Sequence, residues 1–387
     1  MQHWNDFVSD QIRGGAKPAS DFPRPCIAVY ENIEREYAAL REGPAIVDRT
    51  YRGLLEVTGR DRASWLHNLV TNQVKPLAPG DGVYAFVLNV QGRILFDLNL
   101  LVMRDSIFLD LDRRFLPVAV KHFDKYRIVE DVRLIDRSDD FVRIGLAGEQ
   151  AKELAAKIGA PQAAKMPLLG ITSAQWAGAS ILLVRHDFCG PFGCELYVPP
   201  SAAVELWQAL TSGSRQVGAI PAGADAVDVR RIEAGIPWSG REITDEYLPA
   251  ETGQLGRAVS FNKGCYLGQE IVERMRARGA LARRLVGIRW DAPAPPLGAS
   301  CGEGKDSLCP SHVEFAPSGA SLLDPAGKPI GSVTSSCRSP ALNQPISLGY
   351  LKAASVDAGR QVRAEWNETS ALGRVVELPF ADGAPAH

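Results

Sequence analysis

The residues of this chain best suited to chemistry fall in one stretch, VSFNKGCYLGQEIVERMRARG, from Val259 to Gly279. Cys265 stands where a glycine-containing loop is predicted to enter a helix running from Cys265 to Arg278 and stopped by Gly279. Unpaired backbone N–H groups and the helix dipole at such a junction favour a thiolate. Lys263, two residues earlier, adds positive charge, and both effects lower a thiol pKa. The pattern points to a redox thiol or a metal or cluster ligand, set against the ordinary reading of a lone cysteine as a small buried hydrophobe. Gln269 and Glu270 fall in the first helical turn and read as structural, and Gly264 and Gly268 allow close backbone approach.

The remaining cysteines, at 26, 189, 194, 301, 309 and 337, form no CxxC and no zinc-finger spacing with histidine. His67 and His122 are isolated. A basic run (Lys263, Arg274, Arg276, Arg278, Arg283, Arg284 and Arg289) offers an anion site for a polyglutamate tail or a tRNA phosphate. The helical arginines point around the axis rather than along one face, which favours a solvated basic surface.

The elements that must position these groups are mostly strands. GLLEVTG (53–59) is bounded by glycines, and Gly82 to Asp112 alternates with period two as an antiparallel meander turning at Gln91-Gly92. Helices are predicted at Asn32–Arg41, at Asp61–Val70 with Asp61 as cap, at Phe115–Tyr126 and at Ala224–Gly235. A middle unit runs from about 140 to 220. It reads as strand FVRIGLAG, helix EQAKELAAKIG, strands through Val184, strand ELYVP and a helix at Ala202–Leu210. Five turn-bounded strands after the proline run 293–296 imply a separate small barrel or sandwich.

Composition sets the outer limits. The chain has 387 residues, 45% hydrophobic and 23% charged, which excludes a disordered, collagenous or coiled-coil protein. A net charge of −2 gives no bulk argument for nucleic acid or anionic lipid, and no segment reads as transmembrane. The N-terminus carries charges where a signal peptide needs its apolar centre, so a reducing cytoplasm is the expected compartment.

The segment K-G-C-Y-x-G-Q-E, Lys263 to Glu270, resembles the signature of the YgfZ-type folate-binding proteins. These belong to the superfamily of the glycine-cleavage T-protein, an aminomethyltransferase. LLEVTGRDRASWLHNLVTNQV (54–74), FVLNVQGRILFDL (86–98), GPFGCELYVP (190–199), RRIEAGIP (230–237) and the run PIGSVTSS…ISLGYL resemble family segments in family order. The resemblance implies an α+β fold: a three-lobed cloverleaf with strand-rich folate-binding lobes, a C-terminal β-barrel and a tetrahydrofolate-sized hole in the middle. It divides the chain into an N-terminal extension (1–45), a folate-binding region (46–282, with the αβ subdomain at about 140–220) and the barrel (283–381).

Carried over residue by residue, Glu195 matches the glutamate that grips the pterin, where a carboxylate accepts both N–H donors of a 2-amino-pyrimidinone. Tyr84 matches a tyrosine beside the folate. Arg231 matches an arginine that orients a carboxylate or merely pairs with Glu233 or Asp228. Val227 stands where the superfamily often has arginine, and Arg52 and Val227 stand where some YgfZ-type proteins use tryptophan. In T-protein enzymes the segment after the meander turn reads G-G-x-x-D-D, its first aspartate handling protons near folate N5. Phe96 takes that place here and Asp97 the next. Alternation puts Asp97 on the opposite face unless a β-bulge intervenes, so Phe96 argues against aminomethyl transfer.

The implied function is a tetrahydrofolate-binding accessory protein in iron–sulfur cluster assembly or repair, acting through Cys265 and Lys263 and supporting cluster enzymes such as tRNA-modifying radical enzymes. Its expected partners are cluster assembly proteins and client enzymes, without direct tRNA or membrane contact. No resident metal is expected, and Cys265 serves at most as a transient cluster ligand. The alternative is a folate-dependent aminomethyl or methyl transferase.

Overall fold

The alternating apolar residues between Gly82 and Asp112 form the centre of a five-stranded antiparallel sheet. Its order is Gly82–Leu88, Ile94–Val102, Ile107–Asp112, Arg52–Thr58, Arg133–Asp136. The computed structural model describes residues 1–20, 22, 24–189, 192–212, 218–279, 281–291, 316–367 and 369–380. The proline run 293–296, Cys301, Cys309, Gly190, Pro191 and the barrel boundary at Ala381 lie outside the described residues.

One face of this sheet, with Leu55, Val87, Phe96, Leu98 and Leu109, is covered by helices Arg62–Leu69 and Leu116–Lys125 through Trp65, Leu66, Ala119 and Phe123. Asp61 does not cap the first of these helices. Its backbone is already helical, and its carboxylate instead accepts the N–H of Asp131 at 2.8 Å. The opposite face, with Tyr84, Phe86, Ile94 and Leu101, packs against Val184 and Tyr197 of the second lobe. It also meets Val259, Tyr266 and Val272 around the signature segment.

The second lobe is a six-stranded sheet ordered Ile171–Trp176, Ala179–Arg185, Gly193–Val198, Val142–Ala147, Ala45–Asp48, Ile220–Pro221. The first 45 residues are part of it rather than an extension. Helix Gln2–Arg13 buries Trp4 and Val8 in the lobe's core, with Trp4 edge-on to Trp207 at 5.5 Å and its indole N–H donating to Asp48 at 3.3 Å. Asn32 caps helix Ile33–Arg41 by accepting the N–H of Arg35 at 3.0 Å.

Six strands, one more than the five predicted, close the barrel: Arg283–Trp290, Gln344–Lys352, Pro329–Ser339, Ser321–Leu323, Gln361–Trp366, Thr369–Val376. The added strand, Arg283–Trp290, alternates too, sending Val286, Ile288 and Trp290 into the barrel core. The basic run is therefore divided among three environments. Lys263 is buried, Arg274 and Arg276 pair with Glu270 and Glu273 on helix Gln269–Arg278, and Arg283, Arg284 and Arg289 belong to the barrel strand. Among the described residues no helix is long and apolar enough to cross a membrane.

Candidate functional site

A register shift in strand Ile94–Val102 decides which side chains reach the space between the lobes. Val87 pairs with Phe96 but Leu88 pairs with Ile94, so Leu95 is an extra residue and the strand changes face there. Phe96 consequently turns into the first lobe's core, 1% exposed and edge-on to Phe123 and His122. Asp97 and Asn99 turn the other way and line the cavity where the lobes meet. The expectation that this site lacks a carboxylate is corrected: the bulge it hinged on is present.

The cavity is walled by Arg52, Tyr84, Asp97 and Asn99 from the first lobe and by Arg49, His186, Phe188, Val227 and Arg231 from the second. Pro237, Trp238 and Gln254 from the connecting loops and Arg257 from the short helix Leu255–Ala258 also line it. Its volume is about 60 Å³, against the roughly 300–1,000 Å³ of a usual ligand pocket. The hole is thus far smaller than tetrahydrofolate, because four arginines and Trp238 occupy the space between the lobes. Tyr84 donates its hydroxyl to Asp97 at 2.8 Å, and Ser239 donates to the other oxygen of the same carboxylate. Burial, with Asp97 beside it, pushes the Tyr84 hydroxyl well above its ordinary pKa, so it remains a donor.

Glu195 sits in the middle of the second sheet, fully buried, behind Arg49 rather than on the cavity wall. Arg143 approaches its carboxylate to 2.7 Å and Arg49 to 3.3 Å, so its charge is balanced from two sides, although neither oxygen accepts a well-formed hydrogen bond. The same cluster holds Asp110, which accepts from Arg52 at 3.0 and 2.9 Å and from Arg143 at 2.9 Å. Burial alone would raise the Asp110 pKa, but Arg52 and Arg143 outweigh it and hold the carboxyl well below the usual range. His186 is pushed down to about 3 by burial and by Arg49, which makes it a neutral imidazole near pH 7. Asp110, His186 and Glu195 have ligand atoms within 4.8 Å of one another. The guanidiniums of Arg49, Arg52 and Arg143 already supply the positive charge that a cation would bring.

Arg231 is buried on helix Ala224–Glu233, bonded to Asp228 at 2.6 Å, Glu242 at 3.0 Å and Ser335 of the barrel at 2.7 Å. Of the two roles open for it, pairing with Asp228 is the one observed, while an edge of the side chain still lines the cavity.

The signature segment is arranged differently from expectation. Its helix begins at Gln269, after Gly268 at φ +83°, so Cys265 lies in the preceding loop, exposed, and away from the helix end that was to activate it. A Cβ at Gly268 would come within 2.7 Å of the Asn89 carbonyl, so only glycine lets the meander turn pack here. Lys263 is buried and spends its ammonium on the carbonyls of His67 (2.5 Å), Val70 (2.6 Å) and Asn72 (2.9 Å). Burial, with Lys75 adding, pushes its pKa down to about 7. Lys263 is a clamp on the segment after helix Arg62–Leu69. Asn72 then passes the constraint on, donating to the carbonyls of Tyr84 (2.9 Å) and Arg257 (2.8 Å), two residues of the cavity wall.

Sequence reasoning missed Arg49, Asp110, Arg143, Trp238 and Arg257. One signal was available. Asp110 and Asp112 interrupt an otherwise apolar strand, and acids at the buried centre of a sheet require cationic partners.

The family description "GCVT N-terminal domain" matches residues 13–263, and "Glycine cleavage T-protein C-terminal barrel domain" matches residues 309–382. An aminomethyltransferase of Halothermothrix orenii is 29% identical over 357 residues, covering 91% of this chain and 92% of that protein. One of Bacillus velezensis is 27% identical over 359 residues, covering 91% and 90%. Among solved structures, the glycine cleavage system aminomethyltransferase T of Bartonella henselae has a TM-score of 0.83 at 22% identity, covering 97% of each chain, a likeness of fold.

Proposed function

Because the chain belongs to the glycine-cleavage T-protein family, we propose that it is a folate-dependent transferase moving an aminomethyl-type one-carbon group, as the names of its relatives suggest. The observation that carries this reading is Asp97, presented to the inter-lobe cavity between the hydroxyls of Tyr84 and Ser239. Bound tetrahydrofolate would supply a nucleophilic ring nitrogen that accepts the one-carbon unit. The lining suits such a ring chemically. Tyr84, Phe188 and Trp238 offer aromatic faces, and the buried Asn99 Oδ1 and His186 Nδ1 have no hydrogen-bond partner. The walls have to part to admit it.

In this reading Asp97 takes and returns a proton at its carboxylate, and Tyr84 holds that carboxylate in place. Glu195 and Asp110 fix Arg49 and Arg52, which shape the wall. Arg231 fixes the loop carrying Trp238 through Glu242, whose carboxylate also accepts the Trp238 backbone N–H at 3.0 Å. The test is formation of methylene-tetrahydrofolate from an aminomethyl donor by wild type and Asp97→Asn. Loss of roughly 10²–10⁴-fold in rate is expected if the carboxylate moves the proton. Equal rates would remove Asp97 from the mechanism.

A second reading is a folate-binding accessory role in iron–sulfur cluster assembly, with assembly proteins and client cluster enzymes as partners. It is favoured by one observation. Cys265 is exposed, whereas Cys26, Cys189, Cys194 and Cys337 are buried. Restoration of cluster-enzyme activity in cells lacking the protein distinguishes the two: this reading expects Cys265→Ser to fail and Asp97→Asn to succeed.

A further inference from the structure

Two buried side chains on the cavity wall, Asn99 and His186, each use only part of their hydrogen-bonding capacity. The Asn99 amide nitrogen donates to Asp110 at 2.9 Å and lies 3.2 Å from Nε2 of His186. Its Oδ1 meets no donor among the described residues. The Nδ1 of His186 also has no hydrogen-bond partner there, since Asp187 at 3.9 Å is too distant to accept from it.

The polarity of both groups is dictated by charge. Asp110 is an anion held by Arg52 and Arg143, so the end of Asn99 that faces it is the amide NH2. Turning that amide over would set oxygen against oxygen. The same NH2 can only donate to His186, so Nε2 is an acceptor. Burial and Arg49 keep the imidazole uncharged, and a neutral ring that accepts at Nε2 carries its proton on Nδ1. Asn99 Oδ1 is therefore a free acceptor and His186 Nδ1–H a free donor, and the two cannot exchange roles.

The strand sets this pair beside Asp97. Asn99 is paired with Tyr84 on one side and with Asp110 on the other. It follows Asp97 by two residues, on the face that the Leu95 bulge turns to the cavity. Two residues along a strand put their Cα atoms roughly 7 Å apart, within the span of one fused two-ring system. Glu195, to which the family resemblance gives the pterin, stands behind Arg49 with its charge already matched by Arg49 and Arg143.

Resting on the transferase reading above, we propose that Asn99 and His186 recognise the pyrimidinone edge of the folate ring. Asn99 Oδ1 accepts the ring N–H, and His186 Nδ1–H donates to the carbonyl beside it. A 4-amino pteridine reverses that edge, with an acceptor in place of the N–H and a donor in place of the carbonyl. It would meet acceptor with acceptor and donor with donor. The pair thus selects 4-oxo over 4-amino pteridines, a choice that a freely rotating hydroxyl could not enforce.

The probes are tetrahydrofolate and its 4-amino analogue, titrated calorimetrically and without oxygen into the full chain. Wild type is expected to prefer tetrahydrofolate by roughly tenfold or more, because each reversed contact leaves a buried group unpaired. His186→Phe and Asn99→Leu should each erase most of that preference. His186→Gln, whose amide N–H can donate to the same carbonyl, should keep part of it. Both probes meet the same variant, so a partly misfolded sample lowers the number of sites and leaves the ratio of affinities unchanged. Equal affinity of wild type for the two probes overturns the proposal, as does a preference that survives both His186→Phe and Asn99→Leu. A preference lost in Glu195→Gln and kept in His186→Phe overturns it too, by returning the ring to Glu195. The transferase reading has its own measure in methylene-tetrahydrofolate formation. A wild type that forms this product while binding both probes alike loses only the recognition pair, and one that binds neither probe loses both.

Discussion

Phe96 and Asp97 are neighbours in the chain and face different interiors: the ring of Phe96 lies among Trp65, Phe123 and His122 in the core of the first lobe, while the carboxylate of Asp97 lines the cavity between lobes. The one-residue register shift at Leu95 sets this division, because it resets which parity of the strand looks outward.

The division makes Phe96→Asp a test of register rather than a repair of catalysis. A carboxylate at that position meets Trp65 and Phe123 and, as its polar neighbour, the His122 ring, whose pKa burial pushes down to about 4, so a loss of about 3–5 kcal/mol is expected, as for a buried charge without a charged partner. Urea denaturation measures it. A stable Phe96→Asp protein with raised transfer activity would show that the strand presents position 96 to the cavity.

Lys263 and Cys265 separate by what their removal does. Lys263→Met leaves three buried carbonyls without their donor and is expected to cost about 3 kcal/mol, each unsatisfied group being worth about 1–3 kcal/mol. It should also weaken ligand binding through Asn72, Tyr84 and Arg257. Cys265→Ser removes an exposed loop side chain and should leave the melting temperature within about a degree, since such changes usually fall within about 0.5 kcal/mol. Thermal melts of both variants decide. Equal melting temperatures would mean the lysine clamp carries no weight.

For Glu195 the informative comparison is alanine with glutamine. Glu195→Ala strands Arg49 and Arg143 without their shared anion and should destabilise the fold by about 3–5 kcal/mol. Glu195→Gln keeps the volume and should cost less. Any fall in folate affinity of the alanine variant therefore has to be read against its unfolding curve. A Glu195→Ala protein as stable as wild type but unable to bind folate would return this residue to a direct role on the ligand.

Asp225 gives the pH dependence its sign. Burial, with Asp228 and Glu36 nearby, pushes its pKa up to about 7, while the unfolded chain titrates this group near its ordinary value of about 4. Between these limits the folded state holds the extra proton, so stability falls as pH rises from about 4 through 7. Asp225→Asn removes the titration. The variant should melt close to wild type at pH 4 and several degrees above it at pH 8. An offset that does not change with pH would contradict the assignment.

Much of the architecture can be read from local pattern. The period-two run from Gly82, the helix ending at Arg41 and the terminal barrel follow from residue types and turn signals, and the family segments add the order of the lobes. The site was less legible, for reasons that differ by residue. The bulge at Leu95 carries no glycine or asparagine to announce it, so alternation assigned Asp97 to the wrong side. Lys263 looked like a surface charge because its partners are main-chain carbonyls nearly two hundred residues away. The late start of helix Gln269–Arg278 was in principle visible, since Gly268 is the residue that tolerates the positive φ before it. The pairing of Glu195 with Arg49 and Arg143 depends on two strands of one sheet meeting a loop, and no local pattern encodes that.

The contacts of helix Ala224–Glu233 with the barrel bear on how the protein is made. Arg231 and Glu242 both bond Ser335, Glu233 accepts from Ser339 at 2.5 Å, and Tyr350 stacks on Tyr247 at 3.6 Å. On the ribosome these barrel partners emerge about a hundred residues after the helix they satisfy, at roughly 5–20 residues per second. For that interval Arg231 has Asp228 and Glu242 and Glu233 has Tyr37 and Arg230, while their barrel partners Ser335 and Ser339 have not yet been synthesised. All the lining residues of the inter-lobe cavity lie between Arg49 and Arg257, and the barrel's part is to fix one of them, Arg231, through Ser335. Nascent chains stalled before Ser335 should therefore fold two lobes around a complete cavity lining, with Arg231 short of one partner, and bind ligand more weakly than the released chain.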